Sequence, residues 1–130
     1  MILLDTHVVL WLAEDYQRIT SRAQAAIRQA RNRDRGIAIS CISLLEIARL
    51  ASFGRLALKP DTETVLCEIE RVCIVLPISA NIALQAYDLP SNYPKDPSDR
   101  IIGATALIED IPLITADREI QKSRAIATIW

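Results

Sequence analysis

The chain has 130 residues, of which 51% are hydrophobic, and its formal net charge is −1. This length fits one domain, the near-neutral charge gives no support for nucleic-acid binding through bulk charge, and only three glycines argue against a loop-rich or all-β fold. The three cysteines lack a CxxC or Cys/His cluster, and no apolar run approaches the ~20 residues of a membrane span, so we expect reduced thiols, a cytoplasmic protein and no membrane contact.

Short apolar runs alternate with amphipathic segments along the chain, and Gly, Pro and capping residues mark their boundaries. In chain order, the pattern predicts a strand at 2–5, helices at 8–13 and 20–33, a strand at 37–40, helices at 43–53 and 60–72, a strand at 74–77, helices at 79–87 and 97–109, and strands at 113–115 and 127–130. A proline-rich loop precedes the last of these helices.

Two of the predicted helices carry specific start signals. Ser43 and Glu46 match a capping box. In the later helix, Asp96 offers a cap, Pro97 suits the first helical position and Asp99 places an acid in the first turn.

The strands are short, apolar and separated by helices, a pattern typical of a parallel sheet that is covered on both faces. We therefore predict an α/β fold: a single domain over residues 1–130, with three α/β/α layers and a central, mostly parallel sheet of four to five strands. The right-handed crossover rule places the strand ends that lead into helices along one edge of this sheet.

Four acidic residues lie where such a sheet collects ligand-binding groups. Asp5 and Asp117 follow apolar strands, whereas Glu46 and Asp99 lie in predicted first turns of helices. We expect all four to meet in one cleft and to form an all-oxygen site for Mg²⁺ or Mn²⁺, which suits hydrolysis of a phosphodiester. Without them, twelve acidic residues remain against 15 basic ones, a net charge of +3 that leaves a mildly basic surface for phosphates.

Each of these acids also has a structural alternative. Glu46 can complete the capping box with Ser43, Asp99 can complement a helix dipole, and Asp5 and Asp117 can cap the turns after their strands. Taken singly, the structural role is the simpler interpretation. Taken together, these roles predict no clustering, because closely packed carboxylates repel one another and raise one another's pKa.

Four segments carry a family resemblance: LLDTHVVLW at 3–11, ISLLEIA at 42–48, DPSDRIIGATA at 96–106 and PLITAD at 112–117. In this order they resemble the PIN-domain ribonucleases, and the chain is most similar to the VapC toxins of bacterial toxin–antitoxin pairs. The chain departs from the family pattern at Ser98, where a bulky residue is common, and at 93–95, where Tyr-Pro-Lys replaces a more usual His-Arg stretch.

The resemblance implies a PIN-like domain in which Asp5, Glu46, Asp99 and Asp117 form an acidic quartet that binds one or two Mg²⁺ or Mn²⁺ ions. It also implies an RNA substrate, endonucleolytic cleavage, homodimers and a cognate antitoxin that blocks the cleft. The expected reaction is metal-assisted hydrolysis, in which the carboxylates position the ions and accept a proton from the attacking water.

Five further residues are secondary candidates. Thr6 and Thr115 suit hydrogen bonds to a ligand carboxylate or a metal-bound water, with bonds to backbone as an equal alternative. Asp96 is near Asp99 in sequence, but a helix cap is favoured over a metal ligand. His7, the only histidine, and Arg100 are candidates for contacts with the substrate, against a structural histidine and a surface ion pair as the alternatives.

Other functions make different demands on the sequence. A catalytically silent PIN-like module that binds RNA or protein is the main alternative, but it has no need of all four acids. A metal-dependent phosphatase requires Asp-x-Asp after the first strand, where this chain has Asp5-Thr6-His7. A phospho-acceptor receiver domain requires an early acidic pair and a late lysine. A purely structural dimerising subunit is the remaining alternative.

Overall fold

The computed structural model describes residues 1–32, 36–54 and 61–130. The elements in chain order are β1 (Ile2–Leu4), α1 (Thr6–Glu14), α2 (Ser21–Asn32), β2 (Ile37–Ser40), α3 (Cys41–Ser52), α4 (Thr62–Val72), β3 (Ile74–Leu76), α5 (Ala80–Asp88), α6 (Pro97–Ile108), β4 (Leu113–Ile114), α7 (Arg118–Ser123) and β5 (Thr128–Ile129). A 3₁₀ turn at Tyr16–Arg18 joins α1 to α2. The predicted helix limits at Arg33 and Pro60 lie outside the described residues.

The five strands form one sheet in the order β3-β2-β1-β4-β5, and every pairing is parallel. The prediction of a parallel α/β sheet is confirmed, with five strands and no antiparallel pair among the described residues. β1 lies at the centre, where it is hydrogen-bonded to β2 on one side and to β4 on the other.

Alternate strand residues face opposite layers of helices, which gives the predicted three-layer arrangement. One face carries Ile2, Leu4, Ile37, Ile39 and Ile114, which pack with buried residues of α1, α2, α3 and α4. The opposite face carries Leu3, Ala38 and Leu113, which pack with α6 and α7. Because both faces are covered, the central strands are apolar throughout instead of alternating. α5 packs against the outer side of α6 through Ile82, Ala86 and Ala104.

The chain reverses its direction of winding between β1 and β4. From β1 it proceeds to β2 and β3 on one side of the sheet, and it then crosses to β4 and β5 on the other side. The loops that leave β1 and β4 therefore diverge, and they open a crevice at the carboxyl ends of these neighbouring strands. In open parallel sheets this switch point is where ligands bind.

The predicted capping box at Ser43 and Glu46 is wrong. α3 begins at Cys41, directly after β2, and Ser40 is its N-cap, with the Ile42 amide 3.4 Å from the Ser40 hydroxyl oxygen. The helix starts this early because Ser40 already has the extended backbone of a cap when the strand ends. Ser43 is consequently inside the helix and fully buried.

The helix α7 was not predicted, because six residues are too few to establish a helical period. The predicted start of α6 is confirmed: Asp96 is the N-cap, Pro97 begins the helix and Asp99 lies in the first turn. Within the described residues, no helix combines the length and apolarity needed to cross a membrane.

Gly103 of α6 provides a sharp test of this packing, because the ring of Tyr93 lies directly against its backbone. A Cβ atom at this position would lie 2.6 Å from Tyr93 Cζ and would overlap with the hydroxyl group. Alanine normally stabilises a helix interior relative to glycine by up to about 1 kcal/mol. Here we expect Gly103→Ala to lower the free energy of unfolding by about 1–3 kcal/mol, as measured by urea denaturation. A more stable variant would contradict this account of the packing.

Candidate functional site

Asp5 follows β1 at the switch point and is 4% exposed. It is the N-cap residue of α1, yet its carboxylate makes no capping hydrogen bond to the helix. Instead, the Thr115 hydroxyl donates a hydrogen bond to Asp5 Oδ2 at 2.6 Å. The structural alternative for Asp5, a simple helix cap, is therefore not what the carboxylate does.

Thr115 links the two acids on either side of the switch point. While its hydroxyl donates to Asp5, its oxygen accepts a hydrogen bond from the Asp117 amide at 3.0 Å. Asp117 in turn caps α7, because its Oδ1 accepts from the amides of Glu119 (2.7 Å) and Ile120 (3.1 Å). For Thr115, the predicted bond to a candidate ligand carboxylate and the alternative bond to backbone are both present.

A second threonine orients Glu46. The Thr6 hydroxyl donates to Glu46 Oε2 at 2.5 Å, and 3.0 Å separates the hydroxyl oxygens of Thr6 and Ser43. A hydroxyl has one proton, which Thr6 gives to the carboxylate, so Ser43 must be the donor in its contact with Thr6. This chain of hydrogen bonds ties α3 to the start of α1 and holds the Glu46 carboxylate at Thr6, the residue that follows Asp5.

Asp99 projects from the first turn of α6 and is half-buried. Asp96 Oδ1 accepts hydrogen bonds from the amides of Ser98 (2.9 Å) and Asp99 (3.4 Å). The capping role that the sequence favoured for Asp96 is thus confirmed. Its carboxylate nevertheless remains close enough to Asp99 to act on it electrostatically.

The other three predicted acids all act electrostatically on Asp99. The pKa of Asp99 is raised to about 7, first by burial and then by the negative charges of Asp5, Asp96, Asp117 and Glu46. Burial likewise raises the pKa of Asp5, and Asp117 adds to the rise, while the Thr115 hydrogen bond and the charge of His7 oppose it. Asp99 therefore lies within the field of every other member of the predicted quartet.

The donor chemistry of this cluster fits a hard divalent cation, since every candidate ligand is a carboxylate oxygen. A cation would also relieve the repulsion that raises the pKa of Asp99. However, among residues 1–32, 36–54 and 61–130, no three His, Cys, Asp or Glu side chains are arranged so as to hold a metal ion. The acids share one electrostatic field without forming a preassembled coordination shell.

The two candidate substrate contacts occupy different environments. His7 is exposed, its ring centroid is 6.1 Å from that of Trp11, and its charge acts on Asp5. Arg100 is half-buried, and its Nη1 donates to the carbonyls of Ala86 (3.0 Å) and Leu89 (3.5 Å). Arg100 thus ties the end of α5 to the start of α6, whereas His7 faces solvent beside the acidic cluster.

The described residues also leave an apolar groove of about 930 Å³ that is separate from the carboxylates. Leu10, Leu12 and Ala13 of α1 line one side, and Val65, Ile69 and Val72 of α4 line the other. None of the candidate site residues lines this groove.

Two residues near the cluster were not predicted from the sequence. Ser43 was assigned to a helix cap, although it bonds to Thr6. Tyr93, whose hydroxyl donates to the carbonyl of Asp99 at 3.0 Å, lay in a segment predicted only as a loop. An aromatic residue in an otherwise polar, proline-rich loop was the one available signal for it.

Comparison with known proteins shows the family to which this chain belongs. The model of the PIN domain matches residues 2–125. The chain belongs to the PIN-domain family. It is 34% identical to ribonuclease VapC22 of Mycobacterium tuberculosis over 99% of this chain and 98% of that protein, which confirms the likeness to VapC proteins.

Solved structures of VapBC complexes have the same fold. VapBC2 from Rickettsia felis, bound to promoter DNA, superposes with a TM-score of 0.73 at 16% identity and covers 98% of this chain and 97% of that chain. DNA-bound VapBC from Salmonella typhimurium gives a TM-score of 0.73 at 17% identity, with the same coverage of both chains. At these identities the likeness is one of fold, and it agrees with the parallel five-stranded sheet.

The Thr115 hydrogen bond predicts a specific change in the pKa of Asp5. Thr115→Val preserves the shape of the side chain but removes the donor that stabilises the charged carboxylate, so the pKa of Asp5 should rise. Thr115→Ser, which keeps the hydroxyl, should leave it nearly unchanged. The carboxyl-carbon chemical shift of Asp5, followed through a pH titration, measures this directly. Thr6→Val removes the bond to Glu46 and serves as the matched control.

Asp99 should destabilise the metal-free protein at high pH. Its pKa in the folded state, about 7, lies above the unfolded value, so the unfolded chain releases the proton first as the pH rises. The contribution of Asp99 to the free energy of unfolding therefore falls between about pH 4 and pH 7. At pH 8 we expect Asp99→Asn to be more stable than the wild type by about 1–2 kcal/mol, because solvent partly screens this half-buried charge.

Urea denaturation at pH 5 and pH 8, with a chelator present, measures this difference. The advantage of Asp99→Asn should be small at pH 5 and largest at pH 8. Glu109→Gln, an exposed change at the other end of the same helix, is the control and should show no such dependence. A variant that is less stable than the wild type at pH 8 would exclude the proposed repulsion.

Proposed function

We propose that this protein is a divalent-metal-dependent endoribonuclease and the toxin of a toxin–antitoxin pair. The observation that carries this proposal is the electrostatic convergence of Asp5, Glu46 and Asp117 on Asp99 at the switch point of a parallel sheet. The 34% identity to a protein named as a ribonuclease supports RNA as the substrate.

Asp5, Glu46, Asp99 and Asp117 are the proposed ligands of one or two Mg²⁺ or Mn²⁺ ions. When bound, such an ion polarises the scissile phosphate and lowers the pKa of a coordinated water. Because the carboxylates are not preassembled around an ion, binding requires their side chains to move toward one another.

The remaining groups of the site hold these carboxylates and handle the proton. Thr115 orients Asp5 and favours its charged form, and Thr6 orients Glu46. Asp117 uses Oδ1 to cap α7. Its Oδ2 has no hydrogen bond to any described residue, so we propose this oxygen as the acceptor of the proton from the attacking water.

The positions of His7 and Arg100 support their proposed contacts with the substrate. His7 is exposed beside Asp5 and suits a contact with an RNA phosphate. Arg100 has its Nη1 bonded to carbonyls of the preceding segment, and the rest of its guanidinium group is the part proposed to meet the substrate. The +3 charge outside the quartet favours a polyanionic substrate once a cation neutralises the acids.

The proposal also includes an antitoxin partner and a homodimer. The VapBC neighbours support a cognate antitoxin, and the apolar groove between α1 and α4 suits the apolar face of an amphipathic helix from such a partner. A homodimer is proposed on the exposed apolar side chains of Leu84 and Tyr87 on α5.

The reduced thiols of Cys41, Cys67 and Cys73 agree with a cytoplasmic location.

Removal of either central acid should abolish the activity while the fold survives. With Mg²⁺ or Mn²⁺ the wild type should cut RNA in preference to DNA, and EDTA should stop the reaction. Asp5→Asn and Asp99→Asn should lower the rate at least about a thousandfold, because each removes a carboxylate that holds the cation. Gel assays with end-labelled RNA and DNA measure cleavage, and circular dichroism checks the fold.

Glu109→Gln is the matched control, since residue 109 is about 15 Å along the helix from Asp99 and should not affect cleavage. Cleavage by Asp5→Asn at the wild-type rate would refute the mechanism. A wild type that binds RNA but never cuts it, with or without cations, would instead favour the catalytically silent module.

A further inference from the structure

Tyr93 is a buried aromatic residue in the loop that leads to α6. It is 2% exposed, whereas its neighbours Ser91 and Asn92 are exposed. Its amide donates to the carbonyl of Pro90 at 2.9 Å, which fixes the loop backbone at this point. A buried tyrosine requires a partner for its hydroxyl group, and the identity of that partner is informative.

The hydroxyl of Tyr93 donates to the backbone carbonyl of Asp99 at 3.0 Å. The ring lies against Gly103, one turn further along α6 on the same face, where the missing side chain makes room for it. Tyr93 therefore contacts the helix at both Asp99 and Gly103, and it joins the preceding loop to the turn that carries Asp99.

The charges of the acidic cluster also act on this hydroxyl group. After burial, the charges of Asp99, Asp5 and Asp117 are the main causes that raise the pKa of the Tyr93 phenol. The phenol is therefore neutral at every physiological pH and remains a hydrogen-bond donor there. It supports the turn that carries Asp99 without adding a further negative charge to the cluster.

We propose that Tyr93 is a positioning residue for the proposed metal site: by its hydrogen bond to the Asp99 carbonyl and its packing on Gly103, it holds in place the first turn of α6, which carries the Asp99 carboxylate. This inference rests on the proposed function, because it assigns a role to Tyr93 in the binding of the same cation. Tyr93 acts through the backbone of Asp99 and does not itself touch the ion.

Tyr93→Phe isolates the hydroxyl, because it keeps the ring that packs on Gly103. Binding of Mn²⁺ to the metal-free protein, measured by electron paramagnetic resonance of free Mn²⁺, should weaken by about tenfold, at the lower end of the losses seen when groups that orient metal ligands are removed. Cleavage of RNA should need correspondingly more Mn²⁺, but at saturating Mn²⁺ the rate should return to within about twofold of the wild type.

Two further variants are compared with Tyr93→Phe in this experiment. Tyr16→Phe makes the same chemical change at an exposed tyrosine and should leave Mn²⁺ binding unaltered. Gly103→Ala displaces the ring while it retains the hydroxyl, so it should also weaken Mn²⁺ binding.

The outcomes separate this inference from the proposed function. If the wild type binds Mn²⁺ and Tyr93→Phe binds it equally well, even with a lowered melting temperature, Tyr93 has only a structural role and the inference fails alone. If the wild type itself binds no Mn²⁺, the proposed function fails and takes this inference with it. Weaker binding in Tyr93→Phe, with a recovered rate at saturation, supports both.

Discussion

The pairing of β1 with β4 is the constraint on which the rest of the structure depends. Leu4 pairs with Ile114 in parallel register, so the residues that follow these two strands emerge side by side. The chain winds away from them in opposite directions, which leaves a crevice between their loops. Asp5 and Thr115 meet there although 110 positions separate them in sequence, and a hydrogen bond of 2.6 Å joins their side chains.

The gathering of carboxylates at this crevice opposes folding, and the surrounding structure limits that cost. Burial and mutual repulsion raise the pKa values of Asp5 and Asp99. Thr115 offsets part of the effect at Asp5 by donating a hydrogen bond to the charged form. A cluster that is held together against its own repulsion is suited to bind a cation, because the cation stabilises the charges that the fold brings together.

Structural and functional roles coincide in several of these residues. Asp117 caps α7 through one carboxylate oxygen and still contributes its charge to Asp99. Asp96 caps α6 and acts on the same carboxylate. The N-termini of α7 and α6 and the edge of the proposed metal site are therefore built from the same side chains. For both residues, a capping role therefore does not exclude an electrostatic effect on Asp99.

The sequence by itself determined the strands, the parallel α/β class, the cap of α6 and the choice of candidate acids, because apolar period and capping chemistry are local properties. Only the tertiary structure decided the strand order, the true start of α3 at Cys41, the bond from Thr6 to Glu46 and the contact of Tyr93 with Asp99. Each of these joins residues from different elements or depends on where a preceding strand ends. Local pattern carries no information about which distant groups meet, since that is set by the packing of the layers.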